Sequence, residues 1–389
     1  MSDTLLLSAV RTPMGGFQGE LAGMAATELG ALCIREAASR AGVEGTGIDE
    51  VIMGNVLPGG LKQAPARQAM RMAGLPDAVG ATTLNKVCGS GMKAVMLACD
   101  LISAGSGKVV VAGGMESMSN APYLMTKARG GFRMGHGQVS DSMFLDGLED
   151  AETGRAMGTF AQQTADEHQL GREEMDAYAV RSLERAQKAI ESGALAAEMV
   201  KVSIKDRSGE RVIEHDEQPR RADIKKIPTL KPAFKADGTI TAANASSISD
   251  GASALVLAHP DHPRASQALA RIVGHATHSQ HPAEFTLAPI GAIEKLLAKT
   301  GWKREDVDLF EINEAFAMVA MLAIRGLKLD PERVNVNGGA CAQGHPIGST
   351  GSRLIVSLVH ALKQRGGKRG IASLCIGGGE ATAVAIELV

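Results

Sequence analysis

Aromatic residues are scarce in this chain: 3% of 389 positions, with one Trp, two Tyr and eight Phe. Its cores must therefore be built from small and aliphatic side chains, and 46 Gly and 18 Met suit tightly packed α/β layers. No apolar run approaches the length needed to span a membrane. Charge of one sign is also missing. The formal net charge is −2, so a nucleic-acid partner has no electrostatic support. The opening run Leu5–Val10 is short and lacks a basic leader, so it reads as a first strand rather than a signal peptide. The C-terminus carries no targeting signal. The five cysteines are 33, 88, 99, 341 and 375: an odd number, widely spaced, with no CxxC pair. This argues against a disulfide framework and for a reducing compartment, most simply the cytoplasm. Cys341 and His345 stand four apart, but two further zinc ligands at ordinary spacing are missing, so no metal is expected.

A chain of this length holds two or three domain-sized units. Its first third alternates strand and helix signals. Leu5–Val10 reads as strand, Ala26–Ala41 as helix, Val51–Val56 as strand, Ala64–Ala73 as helix and Val109–Ala112 as strand. Such alternation implies a parallel or mixed sheet covered by helices. From about 119 to 242 the pattern changes. Ala128–Asp146 is Gly-rich and irregular, and Thr159–Leu170 and Arg172–Ser192 read as amphipathic helices. Lys201–Lys235 is a basic stretch containing Arg220, Arg221, Lys225 and Lys226, which alone fits a solvated loop. Compact alternation resumes at Thr239–Ala258, where Gly251–Ala258 reads as helix passing into strand.

The last third repeats the first. Ser90–Leu97 resembles Thr350–Ser357 at a constant offset of 260 positions, which also relates Gly107-Lys108 to Gly367-Lys368. Each copy is followed by an apolar strand and a double glycine, Gly113-Gly114 and Gly377-Gly378. A duplicated α/β unit with two equivalent glycine turns facing one shared site is the expectation.

Three groups beside glycines, and an Asn at a turn, stand out. Cys88, in Asn-Lys-Val-Cys-Gly-Ser-Gly, sits where an extended run turns into a helix. Free backbone N–H groups and the positive end of the helix dipole favour a thiolate there. A buried, inert thiol fits that stretch equally well. His345 stands between Gly and Pro just before a second helix. Cys375 precedes three glycines at a strand end. Asn313 begins an Asn-Glu pair at a strand-to-helix turn. Strand ends are where such sheets build sites.

Together these stretches resemble the thiolase family, enzymes that make or cleave 3-oxoacyl-CoA. The matching pieces are residues 85–91, Gly-Gly-Met-Glu-Ser-Met-Ser at 113–119, Asn-Glu-Ala-Phe at 313–316, Asn-Gly-Gly-Ala and Gly-His-Pro-Ile-Gly within 337–348, and Cys-Ile-Gly-Gly-Gly at 375–379. They run in family order along essentially the whole chain. The resemblance implies a duplicated five-layer αβαβα core with an inserted loop domain. Residues 1–118 with 243–268 would form one half, 119–242 the loop domain for CoA binding and tetramerisation, and 269–389 the other half.

By resemblance, Cys88 is the nucleophile that carries the acyl group, His345 takes its proton, and Cys375 is the second acid/base at the α-carbon. His345 with a water held by Asn313 would form one oxyanion hole, and the N–H groups of Cys88 and Gly377 the other. Arg220, or its neighbour Arg221, would meet the nucleotide end of CoA. Leu148, Met157, Phe234 and Ser246 would line the pantetheine tunnel, with Ala315, Phe316 and Phe285 near its inner end. The implied activity is acetyl-CoA C-acetyltransferase, with a broader 3-oxoacyl-CoA thiolase as the alternative. Coenzyme A is substrate and product rather than cofactor, and a homotetramer is implied.

Other classes fit less well. Residues 89–94 formally match GxGxxA, but no acidic residue ends a second strand about 20 positions on. Ketosynthase-type enzymes pair their cysteine with His-His or His-Asn, and Cys375 argues against them. A non-catalytic acyl-CoA-binding relative would not need all four groups intact. The chain also departs from common thiolase patterns. Ala156 replaces a frequent His. Phe285 replaces a frequent Met and looks more like members accepting 2-methyl-branched substrates. Glu380 stands where Met, Gln or Gly is frequent, and a carboxylate close to Cys375 would raise its pKa.

Overall fold

The computed structural model describes residues 4–43, 45–206 and 209–389. Met1–Asp3, ahead of the first strand, and Arg207 and Ser208 of the basic stretch lie outside the described residues, as does Glu44.

The first half runs β1 (Thr4–Arg11), α1 (Ala26–Ala41), β2 (Glu50–Gly54), α2 (Pro65–Met72), β3 (Gly80–Leu84), α3 (Ser90–Ser103) and β4 (Val109–Ser117). An excursion follows, carrying α4 (Met157–Glu167), α5 (Arg172–Glu191), a hairpin of Val202–Asp206 and Gly209–Ile213, and the short helix Glu217–Arg221. The chain returns as β5 (Ser249–Ala258). The second half runs β6 (Ala270–Ser279), α6 (Ala288–Thr300), β7 (Leu309–Ile312), α7 (Ala317–Leu327), α8 (Ile347–Arg365), β8 (Arg369–Ile376) and β9 (Glu380–Leu388).

The strands join in the order β7-β8-β9-β6-β1-β5-β4-β2-β3. Outward from the central antiparallel β1–β6 pair, each half repeats two antiparallel pairings and then a parallel one. Side chains alternate across these strands with period two. In β5, Ala252, Ala254, Val256 and Ala258 face the layer of α1 and α2, while Leu255 and Leu257 face α3 and α8. Helices α6 and α7 cover the other half. Helices α3 and α8 lie between the two halves and touch strands of both. The result is a five-layer α/β core, as the resemblance implies.

The duplication shows in detail. Asp49 Oδ2 accepts the N–H groups of Lys108 (2.6 Å) and Val109 (2.9 Å). Asp308 Oδ2 accepts those of Lys368 (2.7 Å) and Arg369 (2.8 Å). Helices α3 and α8 meet at Gly91 and Gly351. A Cβ on Gly91 would fall 2.5 Å from Ser352 Oγ, and one on Gly351 2.4 Å from Met92 N. Each glycine permits the close approach of the other helix.

Two sequence expectations change. Residues 251–258 are strand throughout, with no helical turn. Buried on both faces, this Ala-rich run has neither alternation nor a helical stripe to read. The double glycines are not equivalent turns. Gly113 and Gly114 lie inside β4, where a Cβ would fall 2.1 Å from Ser253 O and 1.9 Å from Gly348 O. Their role is close packing, whereas Gly377 and Gly378 form the turn after β8.

Candidate active site

Cys88 lies in the turn from β3 into α3. Asn85 Oδ1 accepts the Val87 N–H (2.8 Å), and Ser90 Oγ accepts the Lys86 N–H (2.8 Å) and donates to Val87 O (2.7 Å). These bonds hold Val87 at φ +47°, a conformation that costs a β-branched residue about 1–3 kcal/mol. The half-buried Cys88 is delivered to the wall of a cavity of about 260 Å³. Burial pushes its thiol up to about 11, with the Gly377 N–H and its own N–H pulling the other way. At neutral pH this thiol needs a base.

His345 lines the same cavity. Its N–H donates to Ser247 O (3.1 Å) and Ser249 Oγ (3.3 Å), and the preceding Gly344 stands at φ +104°. Its Nδ1 lies 2.7 Å from Thr350 Oγ1, and that hydroxyl donates to Pro346 O (3.0 Å). Since the hydroxyl proton is committed, Nδ1 must carry the ring proton, which leaves Nε2 as a lone pair with no protein partner. Burial, reinforced by the Arg353 charge, lowers the pKa of His345 to about 3. The ring is a neutral acceptor: a base ready to take a proton.

Cys375 and Asn313 are buried and do not line the cavity. Cys375 is the last residue but one of β8, two before Gly377, and burial followed by the neighbouring Cys88 pushes its thiol well above the usual range. Asn313 donates its backbone N–H to Ser373 O (3.0 Å), while neither atom of its side-chain amide has a protein partner. A buried amide left open in this way is a place where a bound water is stable. The next residue, Glu314, is fully engaged by Tyr178 Oη (3.0 Å), Ser182 Oγ (2.7 Å), Asn335 Nδ2 (2.8 Å) and Cys341 N (3.1 Å), which fixes the Asn-Glu turn.

Leu148, Met157, Phe234, Ser246, Phe285, Ala315 and Phe316 all line the cavity. Phe234 and Phe316 meet edge to face, with centroids 6.2 Å apart. Ser246 Oγ donates to Ala315 O (3.0 Å). Ala156, Ile248 and Ile347 are also on the wall, whose side chains apart from those of Cys88, His345 and Ser246 are apolar. Arg220 is not on it. Its guanidinium pairs with Glu20, and Arg221 pairs with Glu217 (2.5 Å). A second cavity of about 220 Å³, lined by Gln218, Asp223, Lys226, Ser247 and Cys341 among others, lies against the same segment. Glu380 does not act on Cys375 as expected. It pairs with Lys86, and the shift of Cys375 comes from burial and Cys88.

Two supporting residues were not singled out by the motifs. One is Thr350, which sets the His345 tautomer. The other is Glu116, whose buried carboxyl takes the N–H groups of Val56 (2.9 Å), Leu57 (3.2 Å) and Gly348 (2.9 Å) and the Asn55 amide (2.7 Å). It joins the first turn of α8 to the loop after β2. Burial raises its pKa to about 7 against those donors. Its place in the Gly-Gly-Met-Glu motif was the available signal.

A duplicated layered sheet that brings a thiol, a neutral imidazole and a second thiol together, the thiols by strand ends and the imidazole by a helix start, defines a class of cysteine-dependent acyl-transfer enzymes. The chain belongs to the thiolase family: the thiolase N-terminal domain matches residues 4–261 and the C-terminal domain residues 266–388. It is 46% identical to an acetyl-CoA acetyltransferase of Pseudomonas aeruginosa over 99% of both chains. Among solved structures, the acetyl-CoA acetyltransferase of Bacillus anthracis superposes with TM-score 0.97 at 42% identity, covering 100% of this chain and 99% of that one. The Acat5 thiolase of Ascaris suum, solved with coenzyme A, superposes with TM-score 0.94 at 41% identity over all of both chains.

Proposed function

We propose that the protein is an acetyl-CoA C-acetyltransferase that interconverts two acetyl-CoA with acetoacetyl-CoA and CoA. The observation that carries this reading is the shared apolar cavity of Cys88, His345 and Gly377, with the buried Cys375 thiol close enough to interact with Cys88.

In the cleaving direction, Cys88 gives its proton to His345 Nε2 and its sulfur attacks the 3-oxo carbon. The N–H groups of Cys88 and Gly377, and on the other side His345 with a water on Asn313, hold the oxygens where charge develops. The C2–C3 bond breaks, its electron pair stays on C2, and the Cys375 thiol protonates C2. Acetyl-CoA leaves and Cys88 is acetylated. The thiol of CoA then passes its proton to Cys375, attacks the acetyl group and releases Cys88, which recovers its proton from His345. Protons and electron pairs balance, and both cysteines begin protonated, as their raised pKa values require. Condensation is the reverse.

The nucleotide end of CoA is assigned to the basic segment, with Arg220, Arg221 and Lys226 as its cations. Ala156 and the apolar wall favour a second reading, a broader 3-oxoacyl-CoA thiolase of fatty-acid or branched-chain breakdown. The Gly-rich stretch exposes Phe132, Met134 and Val139, which supports a homotetramer formed as a dimer of dimers. Among the described residues no helix is long and apolar enough to cross a membrane, and the free cysteines support the cytoplasm. Coenzyme A acts as substrate and product, with no separate cofactor in the mechanism.

CoA-dependent cleavage of acetoacetyl-CoA, 2-methylacetoacetyl-CoA and longer 3-oxoacyl-CoA tests the reading. Preference for the four-carbon substrate and loss of turnover in Cys88→Ala support it. Turnover that survives in Cys88→Ala overturns it.

A further inference from the structure

Two side chains outside the catalytic set join the turns that carry it. Lys86 stands two residues before Cys88, and Glu380 three residues after Gly377. They are 294 positions apart and belong to different halves, yet Lys86 Nζ pairs directly with Glu380 Oε2. The other carboxylate oxygen, Oε1, accepts from Ser279 Oγ at 3.1 Å. Glu380 opens β9, opposite Ser279 of β6 and Ile376 of β8, at the base of the three-glycine turn. Lys93, in the second turn of α3, adds a further positive charge facing Glu380.

The turns themselves are held mainly within their own halves. The Cys88 turn is closed by Ser90 and Asn85, and the glycine turn by the Gln280 N–H on Gly379 O (2.8 Å). Both carry unusual backbone: Val87 at φ +47°, Gly378 at +91° and Gly379 at +87°. Between them stand Gly89 packed on Ile376, the Gly377 N–H directed to Cys88, and the Lys86–Glu380 pair. Among the described residues, the Lys86–Glu380 pair is the ion pair that joins the two turns. Its side chains are 22% and 32% exposed, which shields the pair in part from solvent screening.

We infer that Lys86 and Glu380 form a positioning clamp, which keeps the Cys88 sulfur in register with the Gly377 N–H while the acyl group is transferred. The inference rests on the roles proposed above for Cys88 and Gly377. It also gives Glu380, a departure from the residues frequent at that position in thiolases, a task other than tuning Cys375.

The test uses the full chain with Lys86→Met, Glu380→Gln, the two combined, and the swap Lys86→Glu with Glu380→Lys. Readouts are kcat and KM for acetoacetyl-CoA cleavage, the rate of Cys88 alkylation by iodoacetamide, and Tm. Each single variant should lower kcat about tenfold, as misplacement of a reacting group does, with KM changed less than about twofold. Alkylation should slow, because Cys88 loses the Gly377 donor that favours its thiolate. The combined variant should be no worse than either single one, and the swap should recover most of kcat. Wild-type kcat in the single variants, or a swap as poor as they are, overturns the clamp. A wild-type protein without cleavage activity, in which the variants still slow alkylation, overturns the acyltransferase reading and leaves the clamp standing.

Discussion

Helices α3 and α8 hold equivalent places in the two halves, and their first turns have been put to different uses. Ser90 and Thr350 are related by the 260-residue offset. Each turns its hydroxyl back on the preceding loop: Ser90 Oγ donates to Val87 O (2.7 Å) and Thr350 Oγ1 to Pro346 O (3.0 Å). What each accepts differs. Ser90 takes a backbone N–H from Lys86 and so shapes the turn that presents a thiol. Thr350 takes the ring N–H of His345 and so leaves Nε2 free as a base. In the proposed mechanism one half supplies the nucleophile and the other its base, on one repeated scaffold.

The largest break in this comparison is removal of the thiol. Cys88→Ala should lower kcat by about four orders of magnitude or more, since Cys88 carries the acyl group in the proposed mechanism. Cys375→Ser separates the two cysteines. Intact-mass measurement after mixing with acetyl-CoA should still find an acetyl adduct on Cys88, while acetoacetyl-CoA formation is lost. Failure of both cysteine variants at acylation would remove the division of labour.

Next comes the hydroxyl that serves the ring. Thr350→Val should lower kcat about 10- to 100-fold, part of the about 10²- to 10⁴-fold that a positioned base contributes, and Thr350→Ser should restore it. An equal loss in the serine variant would mean that Thr350 acts by packing. At the helix crossing, Gly91→Ala and Gly351→Ala should destabilise by similar amounts, about 1–3 kcal/mol each by urea unfolding, because each forces a Cβ into the other helix. Very unequal values would mean that the symmetry is confined to the backbone trace. Ser90→Ala is the smallest of the substitutions, about 1 kcal/mol of stability from a turn bond.

The pH dependence follows from the ring. His345 is held neutral with a pKa of about 3 in the fold, against 6.5 when exposed. Between those values the unfolded chain binds a proton that the folded chain refuses, so this contribution to stability is complete above about pH 6.5 and is lost as pH falls toward 3. Removing the ring in His345→Gln should flatten that part of the acid limb in urea titrations. Catalysis, by contrast, should show no protonation of His345 at pH 5–7, measured as kcat/KM for cleavage.

Much of this was legible in the chain. Ala26–Ala41 is a helix with the bounds its apolar spacing predicts, since one face carries the regular stripe of a core-facing helix. Cys88, His345 and Cys375 were visible because Gly marks backbone that other residues strain to adopt, as at Gly344 and Gly378. The repeat was visible at Ser90 and Thr350 because both halves must close the same helix crossing. It misled at Gly113-Gly114, where glycine permits close contact with Ser253 O and Gly348 O rather than a turn. Single residues do not distinguish these two uses of glycine. Arg220 was visible as charge, but its partner Glu20, 200 positions away, was not.

The sequence by itself determined the helical and strand periods, the duplication, and the residue types able to carry acyl transfer. Those are local properties, written in spacing and side-chain chemistry. Only the tertiary structure decided which groups meet. It faced His345 onto the cavity of Cys88, buried Cys375 where it interacts with Cys88, left the Asn313 amide without a protein partner, committed Thr350 to the ring, and paired Lys86 with Glu380. These are contacts between positions up to about 300 residues apart, brought together by the sheet and the two crossed helices at its centre. No local pattern encodes them, because they depend on the summed packing of every layer between.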